Sequence, residues 1–302
     1  MSIQNFNSLI LAWHGVDGDT RIFLAEMTTF SDKPPAAWSP GRVIGQSFAA
    51  PAMAANQDGS TKFVAVMGPG SPSAIQFSSI IGPPGPTVPP SFQTSARPAV
   101  AVSAAGHIRL AWRSPDGALT SAEQAGSGWG PPTTVGRTSH SPAMAAAGNG
   151  FVLAWKPDNG VQIMGATTGG VTKPMHPQDG GMLTSDAPAL CNRAGDFLMA
   201  WKGVPGDERI FWSRSRDGLN WETPREAIPL GGGIRTIAGP AITAWRLGFV
   251  MVWRGVNGDQ GLWWSTLGLN DPSGRWSTPA RVSLADNSNS SPTLLSCSAQ
   301  TL

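Results

Sequence analysis

A proline that opens a short run of small apolar residues comes round six times, at Pro51, Pro98, Pro142, Pro188, Pro240 and Pro292, at intervals of about fifty residues. Self-similarity at such a period marks a chain built from stacked supersecondary units, none of which buries its apolar faces alone. A second marker follows the first five of these prolines by 13 to 15 residues, an apolar strand ending in Trp and a basic residue: LAWRS at Trp112, LAWKP at Trp155, MAWKG at Trp201 and MVWRG at Trp253, with VAVMG at Val66 as the weakest copy. LAWHG at Trp13 belongs to the same set but has no proline marker before it.

After a short turn comes a third strand: RIFLAE from Arg21, AIQFSS from Ala74, ALTSAE, VQIMGA from Val161, RIFWSRS from Arg209 and GLWWST from Gly261. A Trp followed by proline closes the unit at Trp38, Trp129, Trp221 and Trp276, and is lost from the second and fourth copies. No stretch keeps an apolar pattern at helical spacing, while 37 Gly and 27 Pro punctuate the short runs. The fold class expected is all-β: a six-bladed β-propeller with four antiparallel strands per blade, one domain over residues 1–302.

The ends of the chain bear on closure. Trp13 lacks the proline strand and Pro292 lacks the Trp strand, so the two halves complete one repeat. Residues 290–302 are therefore expected to supply the innermost strand of the first blade, which leaves no open sheet edge at the seam.

A net charge of +2 with no basic run speaks against nucleic acid as a partner. The opening MSIQNFNSLILAW has neither a basic leader nor a long apolar core, so the expected location is the cytoplasm, or release without a classical signal peptide, and no membrane insertion is expected. Cys191 and Cys297 fall in inner strands of non-neighbouring repeats, which argues for free buried thiols over a disulfide.

SRDGLNWETP, from Ser215 to Pro224, resembles the Asp-box hairpin of sialidases and of related non-enzymatic propellers. Its residues suit a turn: Asp217 accepts amide hydrogen bonds, Gly218 permits positive φ and Trp221 packs on the hairpin. Sialidase chemistry of the family type uses a tyrosine nucleophile, and this chain has no Tyr. The inner segments PAMAA, PAVAV, PAMAA, PALCN, PAITA and PTLLS carry no carboxylate, so the acid and base pair of other propeller glycosidases is missing there. Catalysis is not expected, nor is a cofactor or a metal, since no metal-ligand spacing occurs. One catalytic alternative stays open, in which the loops TSARP, TSHSP and TSDAP bring Arg97, His140 and Asp186 to one mouth of the channel and His140 with Asp186 acts as a hydrolytic base.

The turn between second and third strands reads GVDGD at Gly15, GVPGD at Gly203 and GVNGD at Gly255, in three blades consecutive around the ring. At the least it makes a favourable hairpin in which Asp19 and Asp207 pair with Arg21 and Arg209. Planar hydrogen-bonding groups beside flat apolar rings are also what a sugar asks for. The candidate ligand-binding residues are Asp19, Arg21, Asp207, Arg209, Trp212, Asp259, Trp263 and Trp264. The repeated AWKGVPGDERIFWS…WETP unit resembles non-catalytic sialidase-like propellers and, in blade number and in its Arg- and Trp-bearing strands, is similar to the six-bladed fucose-binding lectins of fungi and bacteria. That resemblance implies an Arg and a Glu for sugar hydroxyls and an aromatic ring, in pockets between adjacent blades. Arg21 and Arg209 match it best, while no Glu recurs from blade to blade. The expected function is multivalent, non-catalytic binding of glycans or glycoconjugates; a protein-interaction scaffold is the alternative, and homo-oligomerisation stays open.

Overall fold

The computed structural model describes residues 5–300 except 17, 31–36, 57–60, 70–72, 83–84, 171, 178–180, 230–231, 246, 257, 270–272 and 284. Among the described residues there is no helix, and the strands form six sheets, one per repeat, antiparallel apart from the short pairing of His176–Pro177 with Asn220–Trp221; blades 1 to 6 have as inner strands Thr293–Gln300, Ala52–Ala55, Ala99–Val102, Ala143–Ala147, Ala189–Arg193 and Ala241–Trp245. In blade 3, for example, the strands run outward from the axis as Ala99–Val102, Ile108–Arg113 and Ala118–Ala125, with an outer strand split into Gly128–Trp129 and Thr133–Arg137. The inner strands touch one another in succession and close the ring, Thr293–Gln300 of blade 1 lying between those of blades 6 and 2.

The seam is built as the half-repeats require. Thr293–Gln300 pairs antiparallel with Asn5–His14, in register from Ala12↔Thr293 to Asn5↔Gln300. Eight residues from one end of the chain thus complete a sheet begun at the other.

Because side chains alternate along a strand, each inner pair of strands feeds both neighbouring interfaces. In Asp196–Lys202, Phe197, Met199 and Trp201 join the cluster shared with blade 4, and Leu198 and Ala200 join that shared with blade 6. The core is accordingly a set of six apolar wedges, one per interface between blades. The repeated Trp of the second strand packs toward the preceding blade, with Trp13, Trp155 and Trp201 at most 2% exposed. This fixes the five Trp copies as core.

Ser215–Trp221 forms the expected hairpin. Ser215 Oγ accepts from the Gly218 amide at 2.9 Å, and Asp217 Oδ1 accepts from the amides of Leu219 and Asn220 at 2.8 and 2.7 Å. Gly218 sits at φ 76°, and a Cβ there would lie 2.5 Å from Val152 Cγ2 of blade 4, so the glycine answers both to the turn and to the neighbouring blade. Cys191 is free and buried, and burial pushes its thiol well above the ordinary range. The side chain of Cys297 lies outside the described residues.

Candidate functional site

A buried hydroxyl sits four residues before every repeated proline: Ser47, Thr94, Thr138, Thr184, Thr236 and Ser288, each at most 1% exposed. Thr138 Oγ1 donates to the carbonyls of His140 and Lys156, both at 2.8 Å, and Thr184 Oγ1 to those of Asp186 and Lys202, at 3.0 and 2.8 Å. Each hydroxyl folds the loop entering an inner strand and ties it down, in these copies to the end of the second strand of the same blade. At the seam Ser288 Oγ reaches the His14 carbonyl at 2.9 Å. Entry loops and second-to-third-strand turns therefore share one end of the ring; the amide of Ser185 bonds the Gly203 carbonyl at 3.0 Å and that of Thr236 the Glu208 carbonyl at 2.8 Å.

The three GVxGD turns have one geometry. Asp19, Asp207 and Asp259 each fold back to take the amide two residues on, at 3.0, 3.0 and 2.9 Å. A Cβ on Gly15 or Gly203 would stand 2.6 Å from that carboxylate, and Gly18, Gly206 and Gly258 sit at φ 85–86°, so both glycines of the motif are dictated by the turn. Arg21 grips Asp19 with two parallel bonds of 2.8 Å, and Arg209 grips Asp207 at 2.9 and 2.7 Å. The Arg21 pairing holds the Asp19 carboxyl down at about 2. The two guanidinium groups lie over Phe23 and Phe211, at 5.2 and 5.0 Å. In blade 6, where Gly261 replaces the arginine, Arg281 comes from the outer strand instead, 2.9 Å from Asp259 and 5.4 Å over Trp263, whose Nε1 donates to Asp259 at 2.7 Å.

Three consecutive blades thus carry a carboxylate, a guanidinium and an aromatic ring. Phe23, Phe211 and Arg281 were not singled out from sequence, and two of the predicted indoles are not part of the site. Trp212 and Trp264 alternate with the exposed ring positions and point into the interblade core, at 2% and 8% exposure, stacked edge-on against Trp276 and Trp38. Trp263 alone of the three stays half-buried at the surface. The rings of Phe23 and Phe211 are already engaged, since Trp13 and Trp201 stack on them with centroids 5.7 and 6.3 Å away. Blade 5 is richest: Glu226 stands 3.6 Å from Arg209 and 3.0 Å from Arg235.

A recessed pocket of about 270 Å³ lies elsewhere, between blades 3 and 4 and at the opposite end of the strands from the GVxGD turns. Arg109, Phe151 and the segments Thr133–Val135 and Thr167–Thr168 line it. Arg109 projects from the second strand of blade 3, where other blades carry apolar residues, and is held by Glu123 on the adjacent strand through bonds of 3.2 and 2.9 Å. Its guanidinium lies 5.3 Å over Phe151 of blade 4, and His107 Nδ1 sits 3.3 Å from the other Glu123 oxygen. An Arg, a Glu and an aromatic ring therefore meet between adjacent blades here, at a place the repeat pattern does not mark.

At the axis, Met53, Val100, Met144, Leu190, Ile242 and Leu294 line two wells at once and form the apolar floor between them. The well on the turn side, about 90 Å³, has Arg97 as its charged lining residue; the other, about 460 Å³, is lined mainly by alanines with Cys191, Asn192 and Thr243. The entry loops do converge as expected: Arg97 and His140 both feel the charge of Asp186. Arg97 Nη1 donates to the Pro292 carbonyl at 2.8 Å, while His140 Nδ1 meets Ser139 Oγ at 2.9 Å and makes no hydrogen bond to Asp186. The relay that a hydrolytic base needs is not assembled in this arrangement.

No family model matches the chain, and no curated protein matches it in sequence. Among solved structures it is similar to the Aleuria aurantia lectin, described as a fungal lectin with a six-bladed β-propeller fold and a novel fucose recognition mode, at 15% identity and TM-score 0.61 over 94% of this chain and 97% of that one. AofleA from Arthrobotrys oligospora follows at 10% identity and TM-score 0.57, over 97% and 89%. The SapL1 lectin, solved with α-methyl fucoside, matches at 13% identity and TM-score 0.57, over 91% and 96%. At such identities the likeness is one of fold: a six-bladed propeller of the architecture seen in fucose-binding lectins.

Proposed function

We propose that this chain is a non-catalytic carbohydrate-binding propeller, and that its best-formed sugar site is the pocket between blades 3 and 4. The observation that carries this reading is the union, in one recess, of Arg109 braced by Glu123, the Phe151 ring and a row of threonines. At about 270 Å³ the recess falls near the lower bound of small-ligand pockets, roughly 300 Å³, which suits one sugar residue better than an extended chain. The Asp–Arg–aromatic clusters of blades 5, 6 and 1 are secondary contacts: most of their hydrogen-bonding capacity is spent within the turn. A single shallow site is worth about 4 kcal/mol, roughly millimolar. Several linked on one ring can raise avidity toward a glycan-bearing surface by roughly 10² to 10⁴.

The test is a glycan array with titration of methyl α-fucoside, the ligand type of the similar structures, into the chain and its variants. Arg109→Ala should weaken the best monosaccharide roughly 10- to 100-fold, the range for a charge-assisted contact. Arg21→Ala and Arg209→Ala should leave that affinity within about two-fold and lower only agglutination. Silence across the array, or an unaffected Arg109→Ala, would remove the reading. Silence would favour a protein-interaction scaffold, for which Val43 on the outer strand of blade 1 and Phe48 in the loop entering blade 2, 51% and 54% exposed, offer apolar surface.

A further inference from the structure

At the axial mouth on the turn side stand four cations that make no ion pair among the described residues. Lys156 Nζ donates to Ser139 Oγ at 2.9 Å and to the Pro157 carbonyl at 3.3 Å; Lys202 Nζ donates to Ser185 Oγ at 2.9 Å. Arg113 donates to Ser95 Oγ and to the Thr138 carbonyl, and Arg97 to the Pro292 carbonyl. Every one of these acceptors is a neutral oxygen. The four cations belong to the entry loops and second-strand ends of blades 3, 4 and 5: Arg97 lines the well itself, and Arg113, Lys156 and Lys202 stand one strand further out at the same end of the ring. Asp186 is the carboxylate among them, and it already takes the Ala187 amide.

Such an arrangement is costly unless something offsets it. Lys202 is only 8% exposed, and an ammonium or guanidinium withdrawn from water beside like charges loses hydration that a hydroxyl or carbonyl does not fully restore. Cations fixed around a concave, apolar-floored well focus a positive potential into it. The floor of Met53, Val100, Met144 and their counterparts closes the well beneath, so that a ligand enters from the turn side and stops there.

We propose that this mouth binds a small oxyanion group, a carboxylate, sulfate or phosphate, seated against Arg97 and within the field of Arg113, Lys156 and Lys202. The site is separate from the pocket between blades 3 and 4 and does not depend on that pocket binding sugar. His140 supplies a built-in reporter. Burial, with Lys156 and Arg113 adding to it and Asp186 opposing, holds the imidazole below its ordinary range. An anion in the well should pull it back up.

The experiment is calorimetric titration of the full chain with sodium sulfate, sodium phosphate and sodium acetate, each at ionic strength matched with chloride, together with NMR titration of the His140 imidazole. The expected result is saturable binding of at least one oxyanion, with the His140 midpoint moving upward on saturation. The arm that saturates tells which group the well prefers. Arg97→Gln should weaken binding at least ten-fold. Since Arg97 also bonds across the mouth to Pro292, Lys156→Met serves as a second variant that spares that contact and should weaken binding several-fold. Arg42→Gln, in an exposed pair with Glu26 on the rim, should bind as the parent does. Absence of heat and of a His140 shift beyond those of chloride in all three arms, or binding by Lys156→Met equal to the parent, would overturn the proposal.

Discussion

Blades 5, 6 and 1 and blades 2, 3 and 4 are two halves of one ring with the same sheet plan and the same interblade cores, yet they keep their polar chemistry at different places. In the first half the second-to-third-strand turn closes on an Asp that is joined by a guanidinium and an aromatic ring. Blade 3 closes the equivalent turn with Asp116, which takes the Ala118 amide at 3.1 Å, but Ala118 and Thr120 stand where Arg and Phe would be. In blade 4 the turn carboxylate, Asp158, is drawn to Arg137 of blade 3. A turn carboxylate is present in five blades, blade 2 having MGPGSPSA with no acid at that place, and what varies among the five is the company it keeps. The second half instead holds Arg109 at the far end of its strands and, with blade 5, the cations of the mouth. Selection on a repeat protein acts through positions that neighbouring blades do not need for packing.

The largest effect that bears on this contrast is loss of the seam. Deleting residues 290–302 strips the inner strand from blade 1, and if the halves are arcs of one closed ring neither should survive. We expect no cooperative thermal transition and no soluble monomer by circular dichroism and gel filtration. A folded truncation that still bound sugar would make the halves independent.

Next in size is the distinction between buried and surface indoles within blades 5 and 6. Trp212→Ala opens a cavity in the interface core and should cost about 3–5 kcal/mol in urea unfolding. Trp263→Ala, at a half-buried position, should cost about 1 kcal/mol. Equal losses would mean that the two faces of the third strand are not divided as described.

The smallest effect is on the acid limb. Asp19 is held at about 2, chiefly by Arg21; Asp217 is also held at about 2, burial being outweighed by hydrogen bonds from Asn220, Leu219 and Ser215. A carboxyl depressed in the folded state stabilises it fully above the unfolded value of about 3.9 and loses that contribution as pH falls through about 2. Asp217→Asn should therefore flatten the fall in stability between about pH 4 and 2, and Asp19→Asn should do so more weakly because its pair is exposed to solvent. Parallel acid curves for Asp217→Asn and the parent would contradict the assignment.

The ring was legible in the sequence because its parts are periodic: the proline recurs in all six blades and the Trp of the second strand in five, where blades meet the same packing demand, and the GVxGD turn recurs in three consecutive blades. The same periodicity misled at Trp212 and Trp264. They sit next to Phe211 and Trp263 in the chain, and a shift of one residue moves a side chain to the opposite face of the sheet. Aromatic composition says that a strand packs without saying which ring is spare. Arg109 and Glu123 escaped because they occur once, on adjacent strands with paired positions, and meet Phe151 only after two blades are packed. An Arg three residues before the second-strand Trp, where the other blades carry Ile10, Phe63, Val152, Leu198 and Val250, is the available signal. Arg281 escaped for a similar reason, coming from another strand to fill the place of a missing neighbour.

Asn5 and Gln300 lie opposite each other across a strand pair, at the end of blade 1 remote from the cationic mouth. Blade 1 is thus the one sheet of the six assembled from two distant segments of the sequence. A permutant that bridges those two positions and opens instead in the loop before Pro188 would let every blade be read from uninterrupted sequence. Anything grafted beside Asn5 and Gln300 would leave the opposite opening unobstructed.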